Sequence, residues 1–189
     1  MLRLLALATA LLPAAAPVAA EPVTVLGLPL GGQISPAKQC PQKRGGTDYR
    51  TMCWVHSPVR LSGGTKWGML GVPGADDRPK WAAYAMFDAR VTKAGILESV
   101  DVLTTLDNQY EEIRESVAGR FGRPNRESLP ASGSALATWE SSDINIRLAC
   151  TPGSGCKATF EYISAESRIA AKRALDIQRA KDAARPSTP

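Results

Sequence analysis

Between residues 144 and 162, apolar and polar side chains alternate on either side of a turn signal, Thr151-Pro152-Gly153-Ser154-Gly155. Folding the chain back on that turn with Cys150 opposite Cys156 sets Leu148 against Ala158, Ile146 against Phe160 and Ile144 against Tyr162. All of these pairs are apolar. The intervening pairs are Ala149 with Lys157, Arg147 with Thr159 and Asn145 with Glu161, and they are mostly polar. Successive strand residues face opposite sides, so a slip of one residue would scramble both sets. The pattern predicts a hairpin with one buried and one wet face, and a Cys150–Cys156 disulfide in register with it.

A second hairpin is predicted upstream. Residues 81–87 are aromatic and apolar, and residues 91–95 form a turn. Residues 96–104 then alternate, with Val100 and Val102 on one side and Ser99 and Asp101 on the other. Between the hairpins, Leu106, Tyr110, Ile113, Val117 and Phe121 recur at helical spacing. Thr104 and Asp107 supply a helix-start signal. Glu111 and Glu112 sit early and Arg120 late, matching the helix dipole, and Gly122 and Pro124 end the run. Residues 135–139 add a strand, and residues 125–133 read as loop.

The N-terminal half is less regular. Residues 23–26 read as a short strand, and the glycines of residues 27–32 break regularity. Residues 55–61 form an edge strand, because Pro58 is excluded from a central one. Residues 62–80 read as a long loop with room for a short strand at 69–72. From residue 164 to 185 the composition turns to alanine with scattered charge and a weak apolar face of Ile169, Leu175 and Ile177. This predicts a basic helix that projects from the domain or packs loosely on it. Residues 186–189 are expected to be disordered. The order strand–strand–helix–strand–strand predicts an α+β fold, with an antiparallel sheet covered on one face by a helix and a charged C-terminal helix appended.

The first twenty residues change how the cysteines are read. Arg3 precedes an apolar run over residues 4–12, and Val18-Ala19-Ala20 offers small residues for cleavage before Glu21. That layout predicts a secretory signal peptide over residues 1–20 and a single domain over residues 21–163. The apolar run is too short to span a bilayer, and no later run is long and apolar enough to do so. Export places Cys40, Cys53, Cys150 and Cys156 where disulfides form. Four cysteines allow three pairings, and their grouping favours Cys40 with Cys53 and Cys150 with Cys156. A metal site is not expected, since there is no C-x-x-C and His56 is the only histidine.

The net charge is +5 and unevenly spread, with Lys38, Lys43, Arg44, Arg50 and Arg60 opposed in their region only by Asp48. This suits weak attraction to anionic surfaces and falls short of a nucleic-acid footprint. The basic segment 38–60 is the best candidate binding surface, through Lys43, Arg44, Tyr49, Arg50, Trp54 and His56, and the exposed face of the sheet is expected to join its cysteine loop in making contacts. A disulfide would display these side chains at reduced entropic cost. No catalytic set converges. His56 has no G-x-S-x-G serine to serve, and Gly153-Ser154-Gly155 matches that motif only superficially. Asp76-Asp77 lies in a loop, and Glu111-Glu112 sits where a helix start favours glutamate. Gly63-Gly64-Thr65-Lys66 lacks phosphate-loop spacing.

Gly27-Leu28-Pro29-Leu30-Gly31 followed by Cys40-Pro41 resembles a pattern in small secreted Gram-negative proteins of unassigned function. The later hairpin, helix and Arg120-Phe121-Gly122-Arg123-Pro124 order resembles it too. The resemblance implies a periplasmic or secreted protein and carries over no catalytic residue. The layout is also similar to small helix-on-sheet periplasmic modules that bind other proteins, including outer-membrane assembly lipoproteins and β-lactamase-inhibitor-like domains. The expectation is a periplasmic or secreted binding protein without catalytic activity or cofactor. Its partner would be another protein or an anionic envelope component, with no nucleic acid. Two alternatives remain: an inhibitor or immunity protein against a hydrolase or toxin, and a hydrolytic enzyme of unrecognised type.

Overall fold

The computed structural model describes residues 22–43, 46–74, 78–105, 109–129 and 133–183. In chain order the first strands are β1 (Val23–Val25), β2 (Leu28–Leu30), β3 (Gln42–Lys43), β4 (Gly46–Thr47), β5 (Cys53–Trp54), β6 (Val59–Arg60) and β7 (Lys66–Gly71). Next come β8 (Met86–Val91), β9 (Leu97–Thr104) and helix α1 (Tyr110–Phe121). The chain continues with β10 (Arg126–Ser128), β11 (Ala135–Glu140), β12 (Ile144–Thr151), β13 (Gly155–Tyr162) and helix α2 (Ala165–Ala183). The fold is α+β. Nine strands form one antiparallel sheet in the order β10-β11-β12-β13-β9-β8-β7-β5, with β6 also paired to β7.

The β12–β13 hairpin has the register read from its alternation, from Ile144↔Tyr162 through Cys150↔Cys156. A disulfide joins Cys150 to Cys156, and a second joins Cys40 to Cys53. The buried rows of β8, β9, β12 and β13 share one side of the sheet and include Phe87, Val100, Val102, Ile146, Leu148 and Phe160. On that side α1 presses Ile113 and Val117 into the core. Fully burying one such side chain contributes roughly 1.5–3 kcal/mol.

The β1–β2 hairpin completes the covering layer, burying Leu28 and Leu30. Backbone bonds from Gly31 N–H to Leu97 C=O (2.8 Å) and from Leu97 N–H to Gly32 C=O (2.9 Å) fasten it to the start of β9. Its two turn residues, Leu26 and Gly27, both have positive φ (51° and 82°). That is the geometry a two-residue hairpin turn requires. Apart from the cysteine loop lying over Gly71 at its β5–β7 end, the other face of the large sheet carries no layer among the described elements.

Several expected boundaries differ. The aromatic run 81–87 is not one strand: Lys80–Ala82 is a 3₁₀ turn, and β8 starts at Met86. Trp81 and Ala82 are adjacent and both buried, which period-two alternation cannot provide. The long loop 62–80 contains the six-residue β7. The loop 125–133 holds the exposed edge strand β10, and residues 27–32 include the paired strand β2.

Thr104 does not cap α1; it ends β9, and its Oγ1 accepts from Cys156 N–H at 3.3 Å. Gln109 occupies the N-cap without a side-chain cap bond, and Gly122 ends the helix as expected. Asp107 and Leu106 lie outside the described residues, as do the expected signal peptide 1–20 and the expected disordered tail 186–189. Helix α2 is exposed throughout Ala165–Arg179 apart from half-buried Arg168, whose Nη1 meets Asp143 Oδ1 at 3.2 Å.

Candidate binding surface

The uncovered sheet face is built by the residues that alternate with the core rows. Its central row runs Met69↔Asp88↔Asp101↔Thr159↔Arg147 across β7, β8, β9, β13 and β12. Asp101 is fully engaged there. Its Oδ2 meets Lys157 Nζ at 2.8 Å, and its Oδ1 accepts from Thr159 Oγ1 at 2.7 Å. Asp88 sits directly opposite Asp101, with the Lys157 charge nearby, and its carboxyl is held above the ordinary carboxylate value. Partial burial is the main cause, the facing Asp101 charge adds to it, and Lys157 opposes it.

Toward β6, β7 and β8 this face turns apolar. Val59 pairs with Trp67, and both are exposed. Met86 is exposed, and Tyr84, in the turn before β8, is 97 % exposed. The alternation explains Trp67 and Met69: Leu70, of opposite parity, is buried against Trp54 on the core side. Exposed apolar side chains scattered singly are ordinary, whereas a group sharing one surface marks a contact site.

A groove of about 430 Å³ opens within this group, lined by Tyr49, Val55, Met69, Val72, Tyr84 and Met86 among others. It forms where two strands part. The β7–β8 ladder runs from Lys66↔Val91 to Met69↔Asp88 and stops. Beyond it Leu70 and Gly71 pair with β5, while Met86 and Phe87 pair with β9. Tyr49 closes one wall by lying on Gly71. A Cβ at position 71 would come within 2.5 Å of the Tyr49 ring and 2.7 Å of Cys40 Sγ. Glycine in this strand thus records a close approach that no other residue permits. Arg78 lies at the far side, its guanidinium 5.1 Å from the centre of the Phe87 ring, with Nη2 donating to Pro73 C=O at 2.6 Å.

The cysteine-loop candidates are divided by the fold. Tyr49 reaches the groove. Arg50 is exposed beside Asp48, with Nε 3.7 Å from Asp48 Oδ1. Trp54 is 2 % exposed and belongs to the core rather than to the displayed surface. His56 is exposed on the bend after β5. The Lys43 backbone lies in β3, its side chain and Arg44 falling outside the described residues. Trp67, Met69, Tyr84 and Met86 were not among the candidates. The alternation Trp67–Met69 was their one signal, and Gly68 and Gly71 obscured it.

No protein-family model, curated protein or solved structure matches the chain. Among the described residues, no helix is long and apolar enough to cross a membrane. Within the same residues, no group of three or more His, Cys, Asp or Glu is placed to hold a metal ion.

Proposed function

We propose that this is an exported binding protein, periplasmic or secreted, that docks another protein on the apolar end of its uncovered sheet face. The observation that carries this reading is the convergence of Tyr49, Tyr84 and Met86 on one groove, with exposed Val59 and Trp67 on the same sheet face beside it. Aromatic and methionine side chains are enriched at protein interfaces because they offer large contact area at low entropic cost. The charged row beside the patch gives it a polar rim through Asp88, Asp101 and Lys157. Export is supported by the leader pattern and by two disulfides, which persist in oxidising compartments.

The test immobilises the oxidised protein and exposes it to a periplasmic extract, alongside a Tyr84→Asp/Met86→Asp variant and a Lys172→Glu/Arg173→Glu control on α2. A partner retained by the wild type and the control, and lost with the patch variant, is the expected result. Retention of nothing, or equal retention by the patch variant, counts against the reading. An inhibitor or immunity protein would use the same surface, and it would be recognised by loss of the captured partner's hydrolytic or toxic activity on binding.

A further inference from the structure

The core side of the sheet carries a second cavity, remote in role from the uncovered face. It has a volume of about 180 Å³ and lies between the β1–β2 turn, the 3₁₀ turn at Lys80–Ala82 and the C-terminal half of α1. Its floor is apolar, made by Val25, Val117 and Phe160, all buried. Its polar groups are Trp81, Ser116 and Arg120.

Trp81 decides what this cavity suits. The residue is 4 % exposed, and its indole N–H has no hydrogen-bond partner among the described residues. Buried tryptophan N–H groups are ordinarily paired, and one without a protein partner calls for an explanation. Trp139 follows the rule, donating its Nε1–H to Gly122 C=O at 2.8 Å. Two further donors stand at the same cavity. Ser116 and Arg120 are four residues apart on α1 and so share one helix face. The Arg120 guanidinium lies 5.5 Å from the centre of the Phe121 ring, which forms a wall. Among the described residues, no carboxylate lines the cavity.

Leu26, also a wall, is the only described non-glycine residue with positive φ. The lining therefore offers an N–H, a hydroxyl and a cation over an apolar floor. A hydrated inorganic anion would leave that floor unused, whereas an alkyl carboxylate uses both parts. The carbonyl end of α1 is nearby and disfavours an anion, which makes Arg120 the group on which the site depends.

We propose that this cavity binds a small apolar monocarboxylate. Its alkyl body rests on Val25, Val117 and Phe160. Its carboxylate accepts from the Trp81 indole and the Ser116 hydroxyl and pairs with Arg120. Such a group can come from a free short-chain acid or from the C-terminal residue of a peptide.

The test titrates the ¹⁵N-labelled oxidised protein with isovalerate and, separately, with acetyl-Gly-Leu, following the indole N–H signals of its 4 tryptophans by NMR. The Trp81 signal is identified by its loss in Trp81→Phe, or by sequential assignment of the wild type should that variant not fold. It is expected to move saturably with the carboxylates. Binding should weaken at least about tenfold for isovaleramide and for Arg120→Gln, as removal of a charge-assisted bond implies. Tighter binding of acetyl-Gly-Leu than of isovalerate assigns the peptide source, and the reverse order assigns the free acid. A Trp81 signal that does not move, or equal affinity for acid and amide, or an unchanged affinity in Arg120→Gln, overturns the proposal.

Discussion

Gly153 and Gly155 stand in the same turn with nearly the same φ, 74° and 77°, yet alanine should behave very differently at the two positions. A Cβ at 153 would meet open space, whereas at 155 it would collide with the backbone carbonyl of Thr104 in neighbouring β9. Gly153→Ala should cost about 1 kcal/mol, the backbone term alone, and Gly155→Ala about 2–4 kcal/mol, both read from urea denaturation. The turn itself was legible from its Pro-Gly-Ser-Gly run. Which glycine is crowded was not, because the crowding comes from a strand distant in sequence.

Asp88 carries the residue-scale pH dependence. Its folded-state pKa lies above the ordinary 3.8, so ionised Asp88 opposes folding at neutral pH. That penalty fades as pH falls through the raised value towards the unfolded one. Asp88→Asn should therefore raise stability near neutral pH by at most about 1 kcal/mol, discounted for solvent exposure, and should have little effect near pH 3. Denaturation midpoints of wild type and variant at the two pH values check both sign and window.

Among the elements, α2 should be nearly independent of the rest. It is exposed along Ala165–Arg179 except at Arg168, and the Arg168–Asp143 pair is itself partly exposed. Partly exposed pairs are worth about 0–1 kcal/mol. A chain ending at Ser164 should keep its urea midpoint within that margin, and α2 amides in the full chain should show little protection from hydrogen exchange. A lowered midpoint, or strong protection in α2, would mean that the helix packs on the domain. Its weak apolar face made this behaviour legible in advance. The β12–β13 register was legible for a different reason: alternation, turn residues and cysteine spacing are independent signals that agreed. Strand β7 was only partly legible, as a short strand at 69–72, and its start was hidden because Gly68 and Gly71 interrupt its pattern. Both glycines are there for contacts, Gly68 against Pro58 and Gly71 against Tyr49 and Cys40. The turn at Lys80–Ala82 imitated a buried strand because Trp81 and Ala82 are consecutive core residues.

At the scale of the whole molecule, the candidate surface is assembled from segments that no local pattern connects: the cysteine loop, β6–β7 and the turn before β8. Tyr49 was legible as a displayed residue of a stapled loop. Trp67 and Tyr84 were not, since their exposure depends on which face of the sheet is left uncovered. This assembly makes the two disulfides unequal in function. In the chain-entropy picture, losing Cys40–Cys53, with its sequence separation of 13, should cost about 3 kcal/mol, and losing Cys150–Cys156, with its separation of 6, about 2 kcal/mol. The stability losses are therefore similar. Their effects on binding should diverge, because Cys40 and Tyr49 pack together over Gly71 at the groove wall, while Cys150–Cys156 closes the hairpin away from it. The Cys40→Ser/Cys53→Ser protein should lose partner capture even under conditions where circular dichroism shows it fully folded. The Cys150→Ser/Cys156→Ser protein, folded under the same conditions, should retain it. Equal capture by both variants would separate the cysteine loop from the docking surface, leaving the strand residues Val59, Trp67 and Met86 and the turn residue Tyr84 to carry it.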